Sequence, residues 1–328
     1  MKRLLPDTFT WLLVAAVILA SLLPISGEPA AWFPLATNIA IALLFFLHGA
    51  RLSTDVVIAG ILHWRLQLFI LVMTFGVFPL LGLGLGLFSP WLIDEPIYLG
   101  LLFLCVLPST VQSSIAFTSI AGGNVPAAIC AASTSNILGI FLTPALVALL
   151  FTAGGDAGMS FDMVWKIVLQ LFLPFVAGQA LQPFIGNWVR SRKNLLAPFD
   201  RGSILMVVYL AFSEAVTEGI WHRLAAGDLA ILVLADCLLL AAVLAITGIG
   251  GRLCGFSHED RITAVFCGSK KSLASGVPMA SVIFAGQSIG AIVLPLMLFH
   301  QIQLMVCAWL ARVYADRQKA REGAAAPV

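Results

Sequence analysis

Apolar runs of roughly 18–25 residues, each long enough to cross the hydrocarbon core of a bilayer, recur along the whole sequence. A chain built this way has few folds open to it. In lipid every backbone N–H and C=O must find a partner inside the protein, which leaves helices or closed barrels. The length of the runs selects helices. Ten are discernible, at about 9–25, 33–50, 66–89, 97–119, 126–152, 164–185, 203–220, 228–250, 262–284 and 288–314. The seventh is the weakest, with Glu214 and Glu218 in its last turns, so nine is the alternative count. Only 10% of the residues are charged, against about 25% in soluble domains. The sequence is therefore that of an all-α integral membrane protein, forming a single membrane domain over 1–328 in contact with the lipid bilayer.

The first run follows Lys2-Arg3 and resembles a secretion signal, but no small-x-small cleavage site precedes the next run. It is expected to remain as a membrane helix. Cys105, Cys130, Cys237, Cys267 and Cys307 fall within runs and Cys254 in a loop, with neither disulfide nor metal spacing. They are expected to act as small packing residues.

Basic residues set the orientation, because cytoplasmic loops retain Lys and Arg. With ten runs, the two termini and the even-numbered loops share one side. That side carries Lys2, Arg3, Arg51, Arg65, Arg190, Arg192, Lys193, Arg201, Arg252, Arg261, Arg312, Arg317, Lys319 and Arg321. The other side has Lys166 and Arg223. Both termini are expected in the cytoplasm of a cell whose plasma membrane (in a bacterium, the inner membrane) the protein spans. The loops at about 51–65 and 186–202 are too short to fold alone, and the small polar tail after Ala320 is expected to be disordered. The basic loops read as topology signals, not as a nucleic-acid surface.

Fourteen on one side and two on the other leave 2 of the 18 Lys and Arg residues, Lys270 and Lys271, deep inside a run. A charge at the bilayer centre costs roughly 2.5–3.5 kcal/mol on insertion scales, so two adjacent ones imply partners and a purpose. Around them Gly268, Ser269, Ser272, Ser275, Gly276 and Pro278 all loosen a helix.

Ten runs divide into five and five, and an odd number per half inserts the second half upside down. The first repeat is 1–152, the second 164–314, and 315–328 is a cytoplasmic tail. The fourth run of each half has the most polar centre: Leu107 to Ser119, including Gln112, Ser113 and Ser114, and Gly268 to Pro278. Paired Gly-, Pro- and Ser-interrupted segments at matching positions of inverted halves point to a transporter binding site. Ser and Gly are also ordinary packing residues of membrane bundles. Packing explains the serines as well as function does; it does not explain the lysines.

Pro108 through Ser114, Gly123-Asn124 and Ser133 through Pro144 resemble the fourth and fifth helices of the bile acid:sodium symporter superfamily. Gly268 through Met279 is similar to the ninth helix of its SBF-like branch, which spans bacterial proteins and the vertebrate seventh bile-acid cotransporter. The resemblance covers essentially the whole chain. It implies ten transmembrane helices in two inverted five-helix repeats, with a panel domain of spans 1, 2, 6 and 7. The core domain would comprise spans 3–5 and 8–10, with broken helices 4 and 9 crossing in it. Solute would bind at the panel–core crevice and move by alternating access.

The departures from the family bear on coupling. Sodium-coupled members hold Na⁺ with hard oxygen ligands, and here the helix-four pair maps to Ser113-Ser114. The two helix-five hydroxyl positions align with Ala128 and Ala132, and the helix-three Gln position with Thr74. No alignment of helix nine supplies the family's Glu; Val265, Phe266, Cys267 and the lysines occupy that stretch. An ammonium offers donors and a repelling charge, not lone pairs. The resemblance thus implies a fixed lysine charge in place of sodium, with Na⁺ itself left open and no other cofactor expected.

Adjacent residues differ by about 100° around a helix, so the two lysines face apart unless the helix breaks. One is expected at the crossover and the other toward solute or a carboxylate. Asp236, near the middle of the eighth run, is the candidate counter-ion; a purely structural Lys–Asp pair is the bland alternative. Ser133, Thr134, Ser135 and Asn136 are expected to line the crossover with Ser269, Ser272 and Thr74, whereas His300, Gln301 and Gln303 are expected to bond neighbouring backbone. Nothing resembles a catalytic triad, metal cluster or phosphate loop, so an enzyme is not expected.

The expected function is secondary transport of a small organic anion with altered or absent Na⁺ coupling. The alternatives are a Na⁺ symporter with a rearranged site and a non-transporting membrane regulator of calcium homeostasis.

Overall fold

The structure, a computed structural model, describes residues 8–51, 63–152, 161–217, 219, 226–284 and 289–325. Lys2, Arg3, most of the loop at 51–65, Glu218 and Arg223 lie outside these residues. Among the described residues every regular element is helical. The principal helices are α1 (Thr8–Leu22), α2 (Pro29–Arg51), α3 (Trp64–Gly86), α4 (Glu95–Val106), α5 (Gln112–Ile120) and α6 (Val125–Thr152). The second half follows with α7 (Phe161–Ser191), α8 (Lys193–Thr217), α9 (Ala226–Leu253), α10 (His258–Gly268), α11 (Leu273–Ile283) and α12 (Ile289–Ala325).

Six of these are long and apolar enough to cross a membrane: α2, α3, α6, α8, α9 and α12. The remaining predicted runs fall on α1, which is only 15 residues long, on the amide-rich α7, and on the broken pairs α4–α5 and α10–α11. Two expectations are corrected. The stretch 186–202 is not a loop, because α7 continues to Ser191 and α8 begins at Lys193. The tail after Ala320 is helical to Ala325, as strong helix formers such as Ala, Arg and Glu favour.

Packing sorts the helices into two groups. In one, α2 lies along α7, while α8 packs on both α1 and α2. The α2–α7 approach needs glycine on both sides. A Cβ on Gly49 would strike the Phe175 carbonyl oxygen, and one on Gly178 the Phe46 carbonyl oxygen. This is close small-residue packing of the kind that replaces hydrophobic driving force in lipid. Arg51 closes the group with a two-point bond to Asp200, at 2.6 and 3.2 Å. In the other group α4 packs on α12 and α3, and α10 on α3, α5, α6 and α9. The groups meet where α7 touches α6 and where α8 touches α11 and α12; Phe141 and Phe172 stack edge-on across this seam, 4.4 Å between centroids.

Local sequence explains both breaks. Leu107 is extended (φ −75°, ψ 155°) because the residue before a proline is pushed out of the helical region, so α4 ends at Val106. The chain becomes helical again at Gln112. In the second half α10 ends at Gly268, and Ser272 restarts the helix as an N-cap whose hydroxyl accepts from the Ser275 N–H at 3.2 Å.

Candidate functional site

The two breaks are stitched to each other. Ser272 N–H donates to the Pro108 carbonyl (2.9 Å), and Ser109 Oγ donates to the Cys267 carbonyl at the end of α10 (2.6 Å). Helix α6 supplies the frame beneath. Ser135 Oγ accepts from Ser109 N–H at 3.0 Å, Asn136 Nδ2 donates to the Ser109 carbonyl at 2.8 Å, and Asn136 Oδ1 accepts from Ser275 Oγ at 2.7 Å. One asparagine thus grips both broken segments. Groups that the interrupted helices leave without an intrahelical partner are met across the crossover, as a low-dielectric interior requires.

Lys271 fills the remaining gap. Its ammonium donates to the carbonyls of Thr74, Cys105 and Leu107, all at 2.7 Å, and so uses every donor it has. Two of these carbonyls terminate α4, where the negative end of the helix dipole favours a cation. The third is released by α3. Its backbone widens into a π turn at Met73–Val77, so Phe78 N–H donates to the Met73 carbonyl and not to Thr74. The next candidate donor is residue 79, a proline, which has no N–H. Thr74 therefore serves through its carbonyl; its hydroxyl only bonds back to Ile70 at 2.8 Å. The Phe78 ring covers the ammonium with its centroid at 4.1 Å.

Gln303 of α12 holds the same residue by its backbone. Lys271 N–H donates to Gln303 Oε1 at 3.0 Å, and Gln303 Nε2 donates to the Lys271 carbonyl at 2.8 Å. The second Nε2 hydrogen is directed at His300 Nδ1, 2.9 Å away, which therefore acts as the acceptor. The amide pairs with Lys271 as one peptide pairs with another.

Lys270 contrasts with its neighbour. It is equally buried, but its ammonium has no hydrogen-bond acceptor. It lies over the face of Phe117, 3.8 Å from the centroid. The counter-ion expectation is not met: neither carboxylate oxygen of Asp236 has a hydrogen-bond partner. Carbonyls occupy the ammonium of Lys271 instead.

The other predicted residues divide. Ser269 Oγ donates to the Val265 carbonyl at 2.6 Å, closing the end of α10. Ser113 and Ser114 bond Thr110 Oγ1 at 2.8 and 2.9 Å in the first turn of α5. Gln112 begins α5 and is exposed, and Ser133 and Thr134 are half-buried on α6. Ala128 and Ala132 are fully buried and offer no hydroxyl. Ser109, Ser275 and Phe117 also belong to the network, and none of them was expected as a site residue. Pro79 was the available sign that a carbonyl nearby would be free.

The sequence matches the model of the SBF-like CPA transporter family (DUF4137) over residues 7–316. It is 57% identical to a Pseudomonas aeruginosa protein named "Uncharacterized protein PA2026", over 96% of this chain and 95% of that one. It is 53% identical to "Putative symporter YfeH" of Escherichia coli K12, covering 94% and 92% of the two chains. Sodium/bile acid cotransporter 7 of Rattus norvegicus is 29% identical over 93% of this chain and 92% of its own.

Proposed function

The chain belongs to the SBF-like CPA transporter family, and on that premise we propose that it is a secondary transporter carrying an organic anion by alternating access without a sodium ion. The observation that carries this reading is the cage around Lys271: three carbonyl oxygens at 2.7 Å around an ammonium, where a sodium-driven relative would need an ion. The chain brings its own cation, covalently tethered. Lys270 is the lysine left for solute, because its ammonium is without an acceptor and an anionic group would supply one. An unpaired positive charge raises the local concentration of anions and disfavours cations.

In this reading the chain crosses a bacterial inner membrane ten times as two inverted five-helix repeats, with both termini in the cytoplasm. Helices α1, α2, α7 and α8 form the panel and the remainder the core. The seam between them, along α6–α7 and α8–α11, opens to one side at a time. The bile acids named for the rat relative are the first solutes to try.

Purified protein in liposomes tests the reading. Uptake of a radiolabelled bile acid is expected at the same rate with and without an inward Na⁺ gradient, and to be lost in Lys270→Met. Acceleration by the Na⁺ gradient would refute sodium independence, and full uptake by Lys270→Met would refute the assignment of the two lysines.

A further inference from the structure

Asp236 is the eleventh residue of the 28-residue α9, well inside the span. Its helix neighbours Cys237 and Leu238 are exposed, while Asp236 faces inward with Leu232, Ala235, Leu239 and Leu240 and is itself fully buried. Both carboxyl oxygens lack a hydrogen-bond partner. Helix α9 packs on α3, α10 and α12. The ionisable groups buried there and nearby are Cys267 on α10, Lys270 and Lys271 beyond it, His300 and Cys307 on α12, and Cys105 on α4. Lys271 is saturated by carbonyls, Lys270 sits over Phe117, and His300 bonds Gln303. Among the described residues none of these groups forms a hydrogen bond or an ion pair with the carboxyl.

An ionised carboxylate in such a place lacks both donor and counter-charge, an arrangement proteins avoid because desolvation is not offset. The neutral acid has no such difficulty. We propose that Asp236 is a proton-binding site, loaded with a proton whenever α9 is enclosed as it is here, and that this proton is the coupling ion of the transport cycle. On the side open to water the carboxylate takes one proton from solution and becomes a neutral acid. Enclosure keeps it neutral, and the other opening releases the proton. No other bond is made or broken. Moved together with a monovalent organic anion, the single proton leaves the cargo without net charge. Its position fits that role: α9 packs on α10 and on α12, whose Gln303 holds Lys271 at the second break. The coupling step rests on the transport reading above; the proton site does not.

The test begins without any solute. Infrared spectra of the purified protein in bilayers should show the C=O stretch of a non-hydrogen-bonded carboxylic acid, shifted in D₂O and absent from Asp236→Asn, which keeps the side-chain shape. A wild-type protein that lacks this band at every pH where it is folded would overturn the proposal. In liposomes, an imposed pH gradient should drive accumulation of a radiolabelled bile acid by the wild type. Asp236→Asn should lose that response to the gradient while still exchanging the label. An unchanged response in that variant would overturn the coupling role. The band alone, in a protein that moves no bile acid, would uphold the proton site and overturn the transport reading beneath it.

Discussion

Exchanging each adjacent lysine for methionine should move stability in opposite directions. Methionine keeps an unbranched stem of similar length and removes the charge. In Lys271→Met the carbonyls of Thr74, Cys105 and Leu107 lose their shared donor inside the bundle. A buried polar group left unpaired costs about 1–3 kcal/mol, so three give roughly 3–9 kcal/mol before relaxation. The ammonium's own burial cost, several kcal/mol, is recovered when the charge is deleted and pulls the net toward the lower end. In Lys270→Met no hydrogen bond is lost, only a contact with Phe117 worth about 2 kcal/mol when desolvated. The burial cost recovered matches or exceeds that, so Lys270→Met should be as stable as the wild type or more so. Thermal unfolding of the detergent-solubilised proteins at one salt concentration compares the two directly. Lys271→Ala extends the comparison, since it leaves room for an ion among the carbonyls. Ammonium at ten times its dissociation constant should restore about 1.4 kcal/mol. Equal destabilisation by both methionine variants would refute the reasoning, because it would mean that the carbonyl cage contributes nothing that Lys270 lacks.

Gln303→Met should cost about 2–6 kcal/mol by leaving the Lys271 N–H and carbonyl unpaired, read by the same unfolding assay. Gly178→Ala should lower stability by about 1–3 kcal/mol, because its Cβ meets the Phe46 carbonyl oxygen. Gly202→Ala, where a Cβ meets nothing within 4 Å, should be neutral or raise stability by up to about 1 kcal/mol. Arg51→Ala should cost about 1–3 kcal/mol in the same assay, because Asp200, only about one-fifth exposed, loses its two-point partner.

What the sequence made legible was whatever side chains announce. The apolar runs located helices, the proline at 108 and the glycine at 268 marked both breaks, and two charges in an apolar run marked the crossover. What it concealed was backbone. Lys271 is held by three carbonyls, and a carbonyl carries no letter, so the expected partner was Asp236, the carboxylate near the middle of the eighth run. Thr74 was singled out by its alignment with the family's helix-three Gln position and contributes its main chain, which the π turn at Met73–Val77 sets free. Gln303 was read as bonding neighbouring backbone, and it does; that the backbone belongs to Lys271 follows only from how α12 lies against the second break. The two unlike environments of Lys270 and Lys271 likewise depend on the break between them and could not be ordered from their letters.

The mutual stitching of the breaks has a consequence for how the chain is made. The Cys105 and Leu107 carbonyls wait for a donor 166 and 164 residues further along the chain, and the Cys267 carbonyl finds its donor 158 residues back. At synthesis rates of about 5–20 residues per second, the end of α4 stands without its lysine for roughly 10–30 s. During that interval the first half of the protein is inserted but carries an open pocket of unpaired carbonyl oxygens, which water or an insertion factor has to occupy. Assembly is then gated by the arrival of one late residue, and a chain truncated before Lys271 should be cleared by membrane quality control, not stored as a folded half.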